Sequence, residues 1–221
     1  ICSEVIVVST PEVAEAAKLL ENTFRQVNIS LVNEFAQIAE KFGISANETI
    51  KAAATKPYGF VPFFPGIGVG GHCIPVDPSY LSFAVEELGG RTEFIKLANK
   101  VNLEMPNYVA RRIANDLGGK LNNIKIQIAG ISYKPNVADL RESPALFLIA
   151  ELRKLGAEVI WHDPLVKVWL NEKSVEIDRE IDLGIIATPH SEIDFTPWRE
   201  SNVRVVDVSA TSQEYGWTKY L

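Results

Sequence analysis

The sequence of 221 residues lacks the features that mark several large classes of protein. It has two cysteines, Cys2 and Cys73, which are too few for a disulfide framework. No apolar run approaches the ~20 residues that cross a bilayer, and no cluster of four basic residues offsets the net charge of -6. Glu4 stands where a signal peptide carries basic residues. We therefore expect a cytoplasmic protein with no nucleic-acid or membrane partner.

Histidine is also scarce. The three histidines, His72, His162 and His190, are scattered along the chain rather than grouped at ligand spacing. We predict no metal site from them.

The first half of the sequence has helical periodicity. Apolar residues recur every three or four positions between 13 and 42, which predicts an amphipathic helix capped by Thr10 and ended by Gly43. A second helix is predicted over residues 47–55 with Ser45 as its cap, and a third near 80–88. The last helix, over 92–117, has an apolar face made of Phe94, Leu97, Val101, Met105, Tyr108, Val109 and Ile113.

Residues 56–79 are so rich in proline and glycine that we expect an irregular loop without helix or strand. Within it, Gly66, Gly68 and Gly71 match the dinucleotide fingerprint G-x-G-x-x-G. We reject that match, because FVPFFP before it and CIPVDP after it supply neither the strand nor the helix that the fingerprint needs. The glycines instead predict positive φ angles and backbone N–H groups that approach a ligand beside Cys73.

The second half alternates short β-branched runs with helical segments, which predicts a parallel sheet covered by helices. The fold class is therefore α/β, with an all-helical domain over 11–118 and a Rossmann-like parallel-sheet domain over 119–221. Residues 1–10, with the apolar run Val5–Val8, are expected to be a strand or a linker. Asp163 follows one predicted strand, where an acidic residue either contacts a ribose or forms a turn, and we favour the turn.

The residues themselves leave the chemistry open. Cys73 is either a small buried residue or a nucleophile held by its rigid neighbours, with Asp77 four positions further on. Lys18 and Asn22 lie one turn apart on the first helix, so they either form a solvated surface or donate hydrogen bonds to an oxyanion. Spacing alone does not decide between these alternatives.

Four blocks of sequence resemble the UDP-glucose/GDP-mannose dehydrogenase family, and they cover nearly the whole chain in order. The blocks are KLLENTFRQVNISLVNE, KPYGFVPFFPGIG, GVGGHCIPVDP and GISYKPNVADLRESPAL. With His72 and Val76 at these two positions, the chain resembles the branch of the family that acts on UDP-N-acetylhexosamines. In such enzymes a NAD-binding Rossmann domain comes first, so the resemblance implies that residues 1–10 are a linker from that domain.

The resemblance implies a two-step oxidation of the sugar C6 alcohol to a carboxylate, with NAD as cofactor, for UDP-hexuronic acid and surface polysaccharide biosynthesis. Cys73 matches the nucleophile that forms a thiohemiacetal and a thioester. Lys18 and Asn22 match residues that stabilise the oxyanion and position water, and Asp77 matches an aspartate that handles protons. Arg141 matches an arginine that reaches toward NAD.

The resemblance also implies a UDP-sugar substrate and a homodimer through the helical domain. The substrate-binding residues are expected to be Gly70, Gly71, Phe64, Tyr133 and Lys134. For Phe64, a place in the hydrophobic core is as well supported as a place in the pocket. We expect the 221-residue chain alone to be inactive, because the family's general-base glutamate falls before Ile1.

Two other functions remain open at this point. One is a binding and dimerisation module without turnover of its own. The other, which we rank low, is a cysteine hydrolase using His72 as base, because adjacent side chains in an irregular loop usually diverge.

Overall fold

The computed structural model describes residues 3–213 and 215–221, and Cys2 lies outside them. As predicted, a helical part precedes a parallel-sheet part. The helical part consists of α1 (Pro11–Phe42), α2 (Ala46–Ala53), α3 (Cys73–Glu87) and α4 (Glu93–Asp116). The sheet part consists of β1 (Lys125–Ala129), α5 (Pro144–Lys154), β2 (Glu158–His162), β3 (Val168–Trp169), β4 (Glu172–Lys173), β5 (Leu183–Ile186), α6 (Thr196–Arg199) and β6 (Arg204–Asp207).

The first two helices begin and end where local sequence signals place them. The Thr10 hydroxyl accepts a hydrogen bond from the Val13 N–H at 3.4 Å, and Ser45 caps α2 in the same way. Gly43 ends α1 in the left-handed conformation, with φ of 66°. These predictions are confirmed to within two residues.

The third helix begins seven residues earlier than predicted, so the expectation of an irregular loop up to residue 79 was wrong. Residues 56–72 do lack helix and strand, but Cys73 is the first residue of α3. Pro75 is tolerated because the first-turn N–H groups of a helix have no intrahelical partner. Only Pro78 removes a donor from the helical ladder.

Within this chain α1 buries polar side chains together with Val32, Ala36 and Ala39, and it exposes most of its predicted apolar stripe. The buried side chains on the inner face include Asn22, Gln26, Ser30 and Asn33, which point toward α3 and α4. The predicted apolar stripe faces outward, with Leu20 70% exposed and Phe42 74% exposed.

The apolar face of α4 is also only partly turned inward. Met105, Val109 and Ile113 are fully buried, as the stripe predicts. Phe94 and Leu97 are exposed, because the start of the helix buries Ile95 and a neighbouring face instead.

The sheet has four parallel strands in the order β2-β1-β5-β6. The chain order reverses between β1 and β5, which is where sheets of this kind bind ligands beyond the carboxyl ends of the strands. Hairpin β3–β4 lies outside this sheet. A single hydrophobic cluster runs from Ala36 and Met105 of the helical part to Ile126 and Leu148 of the sheet part.

Residues 3–10 form neither helix nor strand, and the Val5–Val8 run is exposed. Their role as a linker, and the domain boundaries themselves, stay predictions. No helix of the described residues is long and apolar enough to cross a membrane.

Candidate functional site

The thiol of Cys73 is free and exposed at the first position of α3. His72 occupies the cap position but makes no capping hydrogen bond through its side chain. The N-terminus of a 15-residue helix favours negative charge through its aligned peptide dipoles. The exposed position excludes the alternative of a small buried cysteine.

Three further predicted residues meet one helical turn from this thiol. Asp77 lies one turn after Cys73 on the same side of α3. Its Oδ2 accepts a hydrogen bond from the Asn22 amide Nδ2 at 2.8 Å and lies 3.8 Å from the Lys18 ammonium. The structure therefore brings Lys18, Asn22 and Asp77 together, and we call these three residues with Cys73 the thiol cluster.

Arg25 is a neighbour of the thiol cluster that the sequence analysis missed. Its guanidinium Nη1 donates to the Asn22 carbonyl Oδ1 at 3.1 Å, so the Asn22 amide presents its NH₂ group to Asp77. Arg25 also pairs with Glu21 on its own helix. The spacing of three residues between Asn22 and Arg25 is the sequence signal that could have found it.

The glycine-rich loop packs closely against the rest of the chain. Gly68 and Gly71 have φ of 125° and 88°, as predicted, but the prediction was wrong for Gly66, whose φ is not positive. A Cβ atom on Gly71 would lie 2.8 Å from the Tyr133 ring, and one on Gly70 would lie 2.8 Å from the Glu142 carbonyl oxygen. Gly70 and Gly71 are therefore needed because any larger residue would collide with the segments that carry Tyr133 and Glu142.

The backbone N–H of Gly71 does not face a ligand. It donates to the Arg141 carbonyl at 3.0 Å, so our expectation of a free N–H there was wrong. The dinucleotide fingerprint was rejected because we expected neither a strand before it nor a helix after it. The second expectation was wrong, since α3 starts two residues after Gly71. The first holds, because residues 60–65, all of which are described, form no strand.

Arg141 lies on the same side of the molecule as the thiol. Its backbone carbonyl accepts a hydrogen bond from Gly71, two residues before Cys73, and its guanidinium binds the Asp139 carboxylate at 2.6 Å. The side-chain hydrogen bond from Arg141 lowers the pKa of Asp139 to about 2. The Arg141 side chain is otherwise exposed.

A pocket of about 210 Å³ lies at the carboxyl ends of β1, β5 and β6. We call it the carboxyl-edge pocket. The predicted residues Gly70, Tyr133 and Lys134 line it, together with Thr188, Ser209 and others. The Lys134 ammonium lies 5.4 Å from the centre of the Tyr133 ring. Phe64 is half-buried and is not part of the lining that the described residues form.

A larger cavity of about 620 Å³ lies between α1, α3 and α4. The buried amides of Gln26 and Asn102 and the half-buried amide of Asn99 face it beside Tyr80 and Phe83. None of the four residues of the thiol cluster lines this cavity, so we place the reactive site at the cluster.

The histidines lie in different environments. His72 is exposed, His162 hydrogen-bonds the Val175 carbonyl at 2.9 Å, and His190 is buried against Asp163. Among the described residues no group of three histidine, cysteine or acidic side chains is arranged to hold a metal. Asp163 makes the turn that we favoured, by accepting hydrogen bonds from two following N–H groups.

Comparison with known proteins gives matches along most of the chain. The central domain of the UDP-glucose/GDP-mannose dehydrogenase family matches residues 12–104, and the UDP binding domain of that family matches residues 127–211. UDP-N-acetyl-D-mannosamine dehydrogenase of Pyrococcus horikoshii is 39% identical over 191 residues, which are 84% of this chain and 44% of that protein. UDP-N-acetyl-D-glucosamine 6-dehydrogenase of Salmonella typhi is 38% identical over 185 residues, which are 82% of this chain and 41% of that protein.

Solved structures agree with the sequence matches. The structure of UDP-D-ManNAc dehydrogenase from Pyrococcus horikoshii superposes with a TM-score of 0.80 at 31% identity, covering 96% of this chain and 51% of that one. The chain thus spans less than half the length of the curated relatives it matches and about half of the solved one.

Proposed function

Because the chain belongs to the UDP-glucose/GDP-mannose dehydrogenase family, we propose that it supplies the thiol and the nucleotide-sugar site of a UDP-N-acetylhexosamine 6-dehydrogenase. The enzyme would oxidise the sugar C6 alcohol to a carboxylate, yielding UDP-hexuronic acids for surface polysaccharides. The observation that carries the proposal is the thiol cluster, in which Asp77 contacts both Lys18 and Asn22 one turn from Cys73.

The thiol cluster has the groups that thioester chemistry needs. The first oxidation converts the C6 alcohol to an aldehyde by loss of a hydride, for which NAD would be the acceptor, and of a proton to a base. The sulfur of Cys73 then adds to the aldehyde carbon, and the carbonyl π pair moves to oxygen as the C–S bond forms. Lys18 and Asn22 donate hydrogen bonds to that oxyanion, each contributing about 3 kcal/mol in comparable sites.

Loss of hydride from this thiohemiacetal leaves a thioester on Cys73. Water then adds to the thioester carbon while Asp77 accepts a proton from it. Collapse of the adduct breaks the C–S bond and releases the carboxylate product, so the thiolate is regenerated.

The hydrides need an acceptor, and the family resemblance implies NAD. The described residues do not fit a complete dinucleotide site, since the only G-x-G-x-x-G of the sequence follows an irregular segment rather than a strand. We assign to this chain a single contact toward NAD, from the exposed Arg141, and expect the 221 residues alone to reduce no NAD.

The carboxyl-edge pocket is our proposed site for the UDP part of the substrate. It lies at the reversal of chain order in the sheet, and it carries one cation, Lys134, that suits a diphosphate. Gly70 belongs to this pocket and to the loop that leads to Cys73, so a ligand bound here extends toward the thiol. Gly71 supports the site by admitting the Tyr133 ring.

The N-acetylhexosamine class rests on two residues beside the thiol, His72 and Val76. Two relatives that share most of this chain are named for N-acetylmannosamine and N-acetylglucosamine substrates. We propose a substrate of that class.

The helical part is our proposed site of homodimerisation. The outward stripe of α1 has members four or seven residues apart, which is the repeat of a helix that packs along another helix. Its members, all exposed in the single chain, are Val13, Leu20, Phe24, Leu31, Ile38 and Phe42. Light scattering at micromolar protein should give a mass near twice the 24.5 kDa of one chain, and a monomer mass would refute the dimer.

Calorimetric titration with UDP tests the nucleotide-sugar site directly. The chain should bind UDP saturably, Lys134→Ala should weaken binding, and Lys120→Ala, a matched exposed lysine outside the pocket, should not. Failure of the unaltered chain to bind UDP would contradict the proposal. If the chain binds UDP but stays inactive when joined to a NAD-binding domain, it is a binding and dimerisation module instead.

A further inference from the structure

The most completely hydrogen-bonded side chain in the sheet part belongs to Asp163, the residue after β2. It is fully buried. Its Oδ2 accepts hydrogen bonds from the Ile131 N–H at 2.9 Å and from the Ser132 N–H and hydroxyl, both at 3.1 Å. The same oxygen accepts from His190 Nε2 at 3.0 Å. One carboxylate oxygen therefore holds the segment that follows β1 and a side chain that follows β5.

Burial by itself would raise the pKa of Asp163, but the hydrogen bonds from His190 and Ile131 hold it well below its usual range. Asp163 is therefore an anion at neutral pH. A buried carboxylate that makes this many bonds fixes the groups that donate to it, since each would otherwise be left without a partner.

His190 passes this constraint on to the next loop. Its Nδ1 accepts a hydrogen bond from the Asn136 N–H at 2.9 Å, so the ring proton sits on Nε2 and is donated to Asp163. Asn136 in turn accepts hydrogen bonds from the Ser191 N–H and hydroxyl through its Oδ1. Residues 131–136 are thus held at one end by Asp163 and at the other end by the loop that follows β5.

The tied segment carries one wall of the carboxyl-edge pocket. Tyr133, Lys134 and Pro135 lie between the two attachment points and line the pocket, while Thr188 and Pro189 of the other loop line it too. Neither Asp163 nor His190 is part of that lining. The two residues therefore act on the pocket through the loops they hold.

We propose that Asp163 and His190 are positioning residues of the nucleotide-sugar site, which set Tyr133 and Lys134 for binding the UDP part of the substrate. This inference rests on the function proposed above. If Asp163 only stabilised its own turn, its Oδ1 atom would be sufficient, because Oδ1 accepts hydrogen bonds from the N–H groups of Leu165 and Val166 in that turn. The bonds of Oδ2 to the segment after β1 and to His190 go beyond this role.

The test compares variants of His190 with a matched buried side chain of the same sheet. His190→Ala removes both hydrogen bonds of the ring, whereas His190→Gln retains one donor and one acceptor. The control is Gln127→Met on β1, because Gln127 is equally buried and bonds the Glu176 carbonyl and the Asp178 N–H, both at 2.8 Å, away from the pocket.

UDP affinity is measured by calorimetry on the 221-residue chain, with the melting temperature of each variant recorded beside it. We expect His190→Ala to weaken UDP binding about tenfold, equivalent to one lost charge-assisted bond. His190→Gln should restore the affinity, and Gln127→Met should lower the melting temperature with unchanged affinity. If His190→Ala does not fold, Ser132→Ala, which removes one bond to the same Oδ2, should weaken binding in its place.

Several results would overturn the inference. Unchanged UDP affinity in the folded His190→Ala or Ser132→Ala variant would leave Asp163 and His190 with a structural role only. Equal weakening by His190→Gln or by Gln127→Met would mean that general destabilisation, rather than the hydrogen bonds, is responsible. An unaltered chain that binds no UDP would instead refute the proposed function itself.

Discussion

Replacing Asn22 by alanine tests the thiol cluster at its centre. Asn22 is 3% exposed, donates to Asp77 at 2.8 Å and accepts from Arg25 at 3.1 Å. Asn22→Ala removes both hydrogen bonds at once. Among the described residues, Lys18 is then the one side-chain partner left to Asp77, and its ammonium is 3.8 Å away on an exposed side chain.

The expected loss of stability is modest, and the expected loss of rate is large. Hydrogen bonds to charged groups contribute about 1.5–3 kcal/mol each, but Arg25 and Asp77 are partly exposed, and water restores some of their bonding. We estimate a total of about 2 kcal/mol in the free energy of unfolding. Removing one oxyanion donor should lower the rate of the chemical step by a factor of about 100 or more.

Two assays separate these effects. Urea unfolding of the 221-residue chain gives the stability, and single-turnover formation of the hexuronate gives the rate in a protein that joins this chain to a NAD-binding domain. The matched control is Asn47→Ala, because Asn47 is equally buried and donates to the Leu221 carbonyl at 2.7 Å, far from the thiol. Asn47→Ala should lose about 1 kcal/mol without loss of rate. A wild-type rate for Asn22→Ala, with reduced stability, would refute the oxyanion role.

Four further changes test other parts of the reasoning. Cys73→Ser should stop turnover or leave a slowly hydrolysed ester, because an alkoxide leaves less readily than a thiolate; NADH yield per enzyme and intact mass check this, and full turnover would remove the thiol from the mechanism. Gly71→Ala should weaken UDP binding, because the new Cβ would lie 2.8 Å from the Tyr133 ring. The control is Gly59→Ala, which has the same left-handed backbone strain but no heavy atom within 4 Å of the new Cβ. Equal UDP affinities of the two variants in calorimetry would contradict the close-approach argument. Leu31→Glu places a charge in the outward stripe of α1 and should shift the mass in light scattering to that of the monomer; an unchanged dimer would place the interface elsewhere. Burial alone would raise the pKa of Asp163, but its hydrogen bonds outweigh this effect and hold the pKa below the ordinary value of 3.8. The ionised carboxylate therefore stabilises the fold above pH 3.8, and this contribution is lost as the pH falls through the lowered pKa. Asp163→Asn should flatten the acid limb of the stability profile, and an unaltered limb in acid unfolding would contradict the lowered pKa.

Local sequence signals were enough to predict most of the fold. Thr10, Ser45 and Gly43 fix helix ends through bonds within a few residues of themselves. The strands of the sheet follow from short β-branched runs. The start of α3 was not predictable in this way, because proline density gives the same signal in a loop and in the first turn of a helix.

Only one pair of the thiol cluster was predictable from helical spacing, which places Lys18 beside Asn22. The placement of Cys73 one turn from Asp77 depends on the unpredicted start of α3. No local rule tells that the two helices meet at these residues; the family resemblance implied it, and the contacts are long-range. The turn that Asp163 makes was predictable from the sequence, but its bonds to residues 131 and 132 are long-range and leave no pattern in the sequence.

The orientation of α1 links the reactive site to association. Periodicity identifies an apolar stripe but does not tell whether the chain itself or a second copy covers it. In this structure the inward face holds amides, among them Asn22 and Asn33, which bond to α3, α4 and the glycine loop. Pairing matters on such a face, because an unpartnered buried amide costs more free energy than its bond contributes. Asn22 and Asn33 are paired in this way, whereas the Gln26 Oε1 atom has no hydrogen-bond partner among the described residues. Turning the apolar stripe inward would expose these amides and separate Asn22 from Asp77. The contact between Asn22 and Asp77 therefore goes with an outward stripe, and burial of that stripe in the homodimer proposed above would stabilise the orientation that the proposed chemistry needs.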